Sequence, residues 1–183
     1  MDINMFNKVF FLFFGLVALT GCVNKDEIYA NPPQELTEGV NKLMPAANNF
    51  VHNAQDEALK NGIPLTDAEM TIAKVMGVQQ PEKVRVYYVD KLPAPKDPEL
   101  LEVAKSVGYT NPNMAGYTYG YGVWIKKRYK TQPDLLPHEL VHVKQAEELG
   151  LTEQTRQYLM QMFVYGYYNA PMETEARKAT GHF

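Results

Sequence analysis

Two histidines four residues apart can share one task only if the chain between them is helical. His138 and His142 stand in Pro137-His138-Glu139-Leu140-Val141-His142-Val143. On an α-helix, positions i and i+4 fall on one face, about one turn apart. Both imidazoles can then reach one metal ion. Glu139 follows the first histidine directly, where its carboxylate reaches a water on that metal rather than the metal itself. Zinc (Zn2+) would lower the pKa of such a water, and the glutamate could take its proton to make a nucleophile for a carbonyl carbon. Leu140, Val141 and Val143 give the helix an apolar surface to bury. Its start is legible as well. Asp134 suits the N-cap, with Pro137 in the first turn; alternatively Pro137 itself is the first helical residue.

The first 22 residues read as an address. Lys8 precedes an apolar run from Val9 to Leu19, too short to span a bilayer, which needs roughly 20 apolar residues. Small residues follow it, as after a secretory signal. Leu19-Thr20-Gly21-Cys22 resembles the lipobox of bacterial lipoproteins. That resemblance implies cleavage before Cys22 and lipid on its thiol and amine, hence a cell-envelope location on a membrane anchor. The residues after it, Val23 and Asn24, favour an outer membrane where the cell has one. Cys22 is the only cysteine, so an intramolecular disulfide and a Cys-ligated metal are both excluded. The net charge is −3, and it stays so without residues 1–21, which carry one acid and one base. No basic stripe appears, which argues against a nucleic-acid partner. The expected organisation is a signal peptide at 1–21, a polar, Pro-containing tether at 22–34 and one domain at 35–183.

Within that domain the pattern is α+β. Helices are expected over 36–43 and 46–60, interrupted by Pro45 and closed by Asn61-Gly62. Thr66 and Glu69 form a capping box for the next helix, with Leu65 and Met70 as its hydrophobic staple and a stop at Gly77. Lys83 to Val89 alternates as a strand. Asp97 and Pro98 start another helix that ends at Gly108. Gly116 to Lys126 reads as a second strand, with Tyr117, Tyr119, Tyr121, Val123 and Ile125 on one face. Its glycines mark either a bulge or the close approach of a backbone or ligand. A strand so near the motif could also present free backbone groups to an extended peptide. Beyond the motif helix, Thr152 suits a cap for a further helix carrying Tyr158, Leu159, Met162 and Phe163. His52 is read as a surface or helix-packing residue, and His182 as a terminal one.

A catalytic zinc takes three protein ligands and keeps one position open. Pro171-Met172-Glu173-Thr174-Glu175-Ala176-Arg177 offers the third. Glu173 and Glu175 are two apart, about 200° around a helix, so one at most faces the metal. The other is expected in solvent, or paired with Arg177 or Lys178.

The pair of elements, His138-Glu139-Leu140-Val141-His142 and Pro171-Met172-Glu173-Thr174-Glu175-Ala176, resembles zincins of the gluzincin type over roughly residues 115–178. It is closest to small bacterial zinc metallopeptidase-like proteins with a Pro-x-Glu-x-Glu-Ala element. The resemblance implies a zincin-like, mostly helical α+β domain with a small mixed sheet. Aligning Ala176 with that family's Glu-x-x-Ala-Asp makes Glu173 the ligand; aligning the shorter Glu-Ala makes it Glu175. Glu173 is the preferred reading. Arg177 stands where the family has aspartate, which leaves the outer support of the histidines unassigned. Tyr165, Tyr167, Tyr168 and Arg177 are near enough in sequence to supply an oxyanion donor. The implied activity is zinc-dependent hydrolysis of a peptide bond in a protein or peptide substrate, with Glu139 as general base. The alternative is a zinc-binding envelope lipoprotein, weakly active or inactive, that serves as scaffold or binding module.

Overall fold

The computed structural model describes residues 24–181. Cys22, the signal segment and His182 lie outside the described residues. A first unit ends at Pro32. In it the stretch read as a tether holds a short helix, α1 (Lys25–Ala30), capped by the Asn24 side chain, which accepts from the amides of Asp26 and Glu27. The second unit starts at Pro33. It contains α2 (Gln34–Asn61), β1 (Ile63–Pro64), α3 (Asp67–Val75), β2 (Arg85–Val89), α4 (Pro98–Ser106), β3 (Gly116–Tyr119), β4 (Gly122–Lys126), α5 (Leu135–Leu149), α6 (Leu151–Tyr165) and α7 (Pro171–Ala179). The fold class is α+β: helices around a mixed sheet of order β1-β2-β4-β3. β2 and β4 run parallel, while β1 on β2 and β3 on β4 run antiparallel. No helix among the described residues is long and apolar enough to cross a membrane.

Local signals set many of the boundaries. Thr66 and Glu69 make the reciprocal capping box that opens α3. Asp97 accepts the Leu100 amide at 2.9 Å, with Pro98 in the first turn of α4. Gly108 follows α4 at φ +80°, a left-handed conformation that suits glycine.

Three expectations are corrected. Pro45 does not break the helix: α2 runs unbroken through it. A proline in a helix interior costs about 3 kcal/mol. The face on which Val40, Leu43, Met44, Ala47 and Val51 are buried offsets that cost through packing. Thr152 is not a cap, because α6 already begins at Leu151 after Gly150 at φ +77°.

The third correction concerns 116–126, which is not one strand but a hairpin. Gly120 takes φ +56°, and Gly120-Tyr121 is the two-residue turn between β3 and β4. The turn breaks the alternation assumed along one strand. Paired residues share a face, and Tyr117 pairs with Trp124 while Thr118 pairs with Val123. Tyr117, Tyr119 and Trp124 therefore pack on Val51, Ala54 and Ala58 of α2. Val123 and Ile125 pack on the opposite face with Val86, Leu140 and Val143. The sheet is thus held between α2 on one side and α5 on the other.

The close approach read from the glycines is met at Gly122. A Cβ there would lie 2.8 Å from the Ala58 Cβ and 3.1 Å from the Gln55 carbonyl oxygen. We expect Gly122→Ala to force α2 off the sheet and cost about 1–3 kcal/mol, seen as a lower urea midpoint with an unchanged slope.

A candidate metal centre at the edge of the sheet

α5 begins at Leu135, flanked by Asp134, whose side chain makes no capping hydrogen bond. Leu140 and Val143 of this helix are wholly buried against the sheet. That packing fixes the rotation of α5 and turns His138, Glu139 and His142 toward β3 and α7.

α7 is held at its start by α5 and α6. Pro171 has no N–H to satisfy. The next amide, that of Met172, donates to Gln161 Oε1 at 2.9 Å, and the Met172 carbonyl accepts from Gln145 Nε2 at 3.1 Å. With both backbone groups of Met172 clamped, Glu173 points inward and is only 2 % exposed.

The structure brings His138, His142 and Glu173 together. The two imidazole Nε2 atoms are 3.3 Å apart. The Glu173 oxygens lie 3.4 Å from His138 Nε2 and 3.5 Å from His142 Nε2. A tetrahedral zinc with bonds of about 2.0–2.1 Å sets its ligand atoms roughly 3.3–3.4 Å apart. The donor set, two imidazoles and a carboxylate, is also one that zinc takes. Glu173 Oε1 accepts from the Tyr158 hydroxyl at 2.8 Å, whereas the buried Oε2 accepts no hydrogen bond from the described residues. An acceptor left buried without a donor is costly, and a cation among these three groups would satisfy it. The residues present fit the metal.

Glu175 is not in this cluster. It pairs with Lys144 at 2.7 Å, not with Arg177 or Lys178, and it accepts from Gln145 Nε2 at 2.7 Å. Lys144 and Gln145 hold it on the outer side of α5, as the angular separation of the two glutamates requires.

Gln145 was not singled out from sequence, and it is the outer support of His142. Its Nε2 faces two acceptors, the Met172 carbonyl and the Glu175 carboxylate. Its Oε1 therefore faces His142 Nδ1, 2.8 Å away, and accepts the Nδ1 proton. That tautomer leaves a lone pair on His142 Nε2, aimed at the cluster. We expect Gln145→Ala to weaken zinc binding about 10–100-fold, measured by competition with a chromophoric chelator. The signal for Gln145 was its place three residues after His142 on the same helix face.

Glu139 is buried beneath β3. Thr118 Oγ1 donates to its Oε2 at 2.7 Å. A Cβ on Gly116 would come within 2.7 Å of Glu139 Oε1, so only glycine leaves the carboxylate its place. Burial pushes the Glu139 carboxyl up, and Glu173 adds to the rise; His138, His142 and the Thr118 hydroxyl oppose it without cancelling it. Glu173 is the opposite case. Burial pushes it up, but His142, His138 and Tyr158 outweigh burial and hold its carboxyl down at about 2. Two carboxylates in one site thus differ in proton affinity, one suited to ligation and the other to taking a proton.

Burial, with Glu173 next, raises the Tyr158 hydroxyl well above its usual range, and burial with Glu173 and Glu139 raises Tyr167. Both therefore stay protonated and remain donors. Of the four candidate oxyanion donors, only Tyr167 lines the cavity beside the cluster. Tyr168 is exposed with Arg177 stacked on its ring, and the Arg177 Nη1 is 4.0 Å from Glu173 Oε2. His52 contacts Thr152 at 3.3 Å, linking α2 to α6 away from the cluster.

A cavity of about 130 Å³ lies against His138, Glu139, His142 and Glu173. All four residues of β3 line it. Since alternate residues of a strand face opposite ways, a cavity that touches them all runs along the strand's free edge. No family model, curated protein or solved structure matches this chain.

Proposed function

We propose that this chain is a zinc-dependent peptidase of the cell envelope, held to a membrane through lipid on Cys22, and that its domain is zincin-like. The observation that carries the reading is the triad of His138, His142 and Glu173, spaced as ligands of one zinc ion, with the buried carboxylate of Glu139 on the same helix. Bound zinc would supply Lewis acidity, lowering the pKa of a water and polarising a substrate carbonyl.

The residues of the chain do the rest. His138, His142 and Glu173 hold the ion. Glu139 removes a proton from the attacking water as the water oxygen bonds to the scissile carbonyl carbon. Its raised proton affinity suits that task, and it returns the proton to the leaving amine as the C–N bond breaks. Thr118 holds Glu139 in one orientation through its hydroxyl. Tyr167, kept protonated, offers a hydrogen bond to the oxygen that gains charge. β3 is the edge strand of the sheet, so an extended peptide can add to its open edge beside the cluster.

One observation favours the second reading, a zinc-binding scaffold of low activity. The support on His142 Nδ1 is the neutral amide of Gln145 rather than a carboxylate, which polarises the imidazole less. The experiment that separates the two is peptide hydrolysis by the zinc-loaded chain beside Glu139→Gln. Turnover by the first and not the second supports the peptidase. Equal, near-background rates support the scaffold.

A further inference from the structure

Gln154, Tyr158 and Gln161 stand on one face of α6, at spacings of four and three residues. Tyr158 and Gln161 hold α7, through Glu173 and the Met172 amide. Gln154 is used only in part. Its Nε2 donates to the His142 carbonyl at 2.8 Å, from α6 to α5. Turning the amide over would set two oxygens against each other, which fixes Oε1 on the other side. No group among the described residues donates to that oxygen. Gln154 is 7 % exposed, yet its Oε1 is not sealed: the sealed orphans among the described side chains are Asn48 Oδ1 and Glu173 Oε2. Gln154 lines the cavity, so the open side of Oε1 is the cavity side. Its neighbour Thr155 lines the same wall and spends its hydroxyl proton on the Leu151 carbonyl at 2.7 Å. The polar groups of α6 thus reach the cavity with their donors already used and with acceptors to spare.

We propose that Gln154 Oε1 is a substrate-binding group that accepts one amide N–H of the bound peptide, from its main chain or from an asparagine-type side chain. The inference rests on the peptidase reading and assigns a contact within the same site. A peptide added to the edge of β3 pairs with it through alternate residues, and the N–H groups between them face away. Any of these that the cavity takes out of water needs an acceptor, or it costs the full desolvation of a polar group. Gln154 Oε1 meets the same penalty once a ligand closes the cavity over it. One hydrogen bond satisfies both. The same oxygen disfavours a carboxylate or carbonyl, which would face it with a second acceptor. The bond from Nε2 to the His142 carbonyl ties the acceptor to the helix that carries His138 and His142, and so fixes where the peptide N–H must lie.

The test is a double-mutant cycle with one of its two changes in the ligand. The protein is the full chain carrying Glu139→Gln, which removes turnover, with and without Gln154→Met, supplied with one equivalent of zinc. The probes are capped Ala-Ala-Leu-Ala-Ala, its analogues with one amide at a time replaced by an ester, and capped Ala-Ala-Asn-Ala-Ala, titrated by NMR. Methionine keeps the length of glutamine and has no amide oxygen. One ester should weaken binding about 3–10-fold more in the chain with Gln154 than in the chain with Gln154→Met; that outcome assigns a main-chain donor. An Asn peptide that outbinds the Leu peptide by a similar factor only where Gln154 is present assigns a side-chain donor. Each comparison is between ligands on one protein, so a merely structural effect of Gln154→Met cancels. Absence of coupling at every position, or no binding of any peptide, overturns the proposal. If Gln154→Met does not fold, the side-chain carbonyl carbon of Gln154 decides in the Glu139→Gln chain. Its resonance should move with the peptides that carry the donor and not with those that lack it; the same shift with every peptide, or none with any, overturns the proposal. Coupling at Gln154 together with no hydrolysis by the zinc-loaded wild type would instead overturn the peptidase reading and leave the peptide contact standing.

Discussion

Replacing Glu173 by glutamine is expected to lower zinc affinity more than a hundredfold, and the same change at Glu175 tenfold or less. The two glutamates are two residues apart on one helix turn, yet their surroundings differ completely. Glu173 is buried, receives the Tyr158 hydroxyl, and sets its oxygens 3.4 and 3.5 Å from the two imidazole nitrogens. An amide at this position keeps the shape and the Tyr158 hydrogen bond but loses the anionic donor. The loss therefore exceeds the roughly 10–100-fold typical of an outer partner. Glu175 touches the cluster only through Gln145, and Gln145 keeps its hydrogen bond to the Met172 carbonyl without it. Chelator competition on both variants checks this. Equal losses at the two positions would contradict the assignment.

Glu139→Gln should retain zinc and lower kcat/KM about 10²–10⁴-fold, the usual contribution of a positioned general base. The change is isosteric, and the amide oxygen still accepts from Thr118. The domain should melt no lower, because a buried carboxylate whose pKa burial has raised gives way to a neutral group. Measuring zinc content, melting temperature and peptide hydrolysis on one preparation separates loss of chemistry from loss of metal or fold. A variant as active as the wild type would remove Glu139 from the proposed reaction.

What the sequence revealed about this fold was local. The helical spacing of His138 and His142, the capping box of Thr66 and Glu69, and the Asp97-Pro98 start each depend on residues within one or two turns. Such signals survive without knowledge of the partners. The 116–126 segment did not yield in the same way. Its alternation is real on each side of Gly120, but a two-residue turn resets which face each side chain takes, and pattern alone does not show where the chain folds back. Pro45 misled for another reason. Its local cost is genuine, and only the long buried face of α2, formed with the sheet and other helices, outweighs it. In the site, Glu173 was legible as one of two alternatives, since a helix places only one of the pair inward. Aligning Ala176 favoured Glu173, but what holds Glu175 away from the cluster is Lys144 and Gln145, some 30 residues away on α5. Thr118 and Tyr158 carried no signal beyond a strand and an apolar helix face, because their roles arise only where β3, α6 and α7 converge on α5.

The most direct measurement is the zinc content of the purified full chain, supplied with zinc and cleared of excess by gel filtration, beside His142→Ala. The account predicts about one zinc per chain in the wild type and a marked loss in the variant. A wild type that retains no zinc, or a His142→Ala chain that retains as much as the wild type, would contradict the metal centre and with it the proposed hydrolysis.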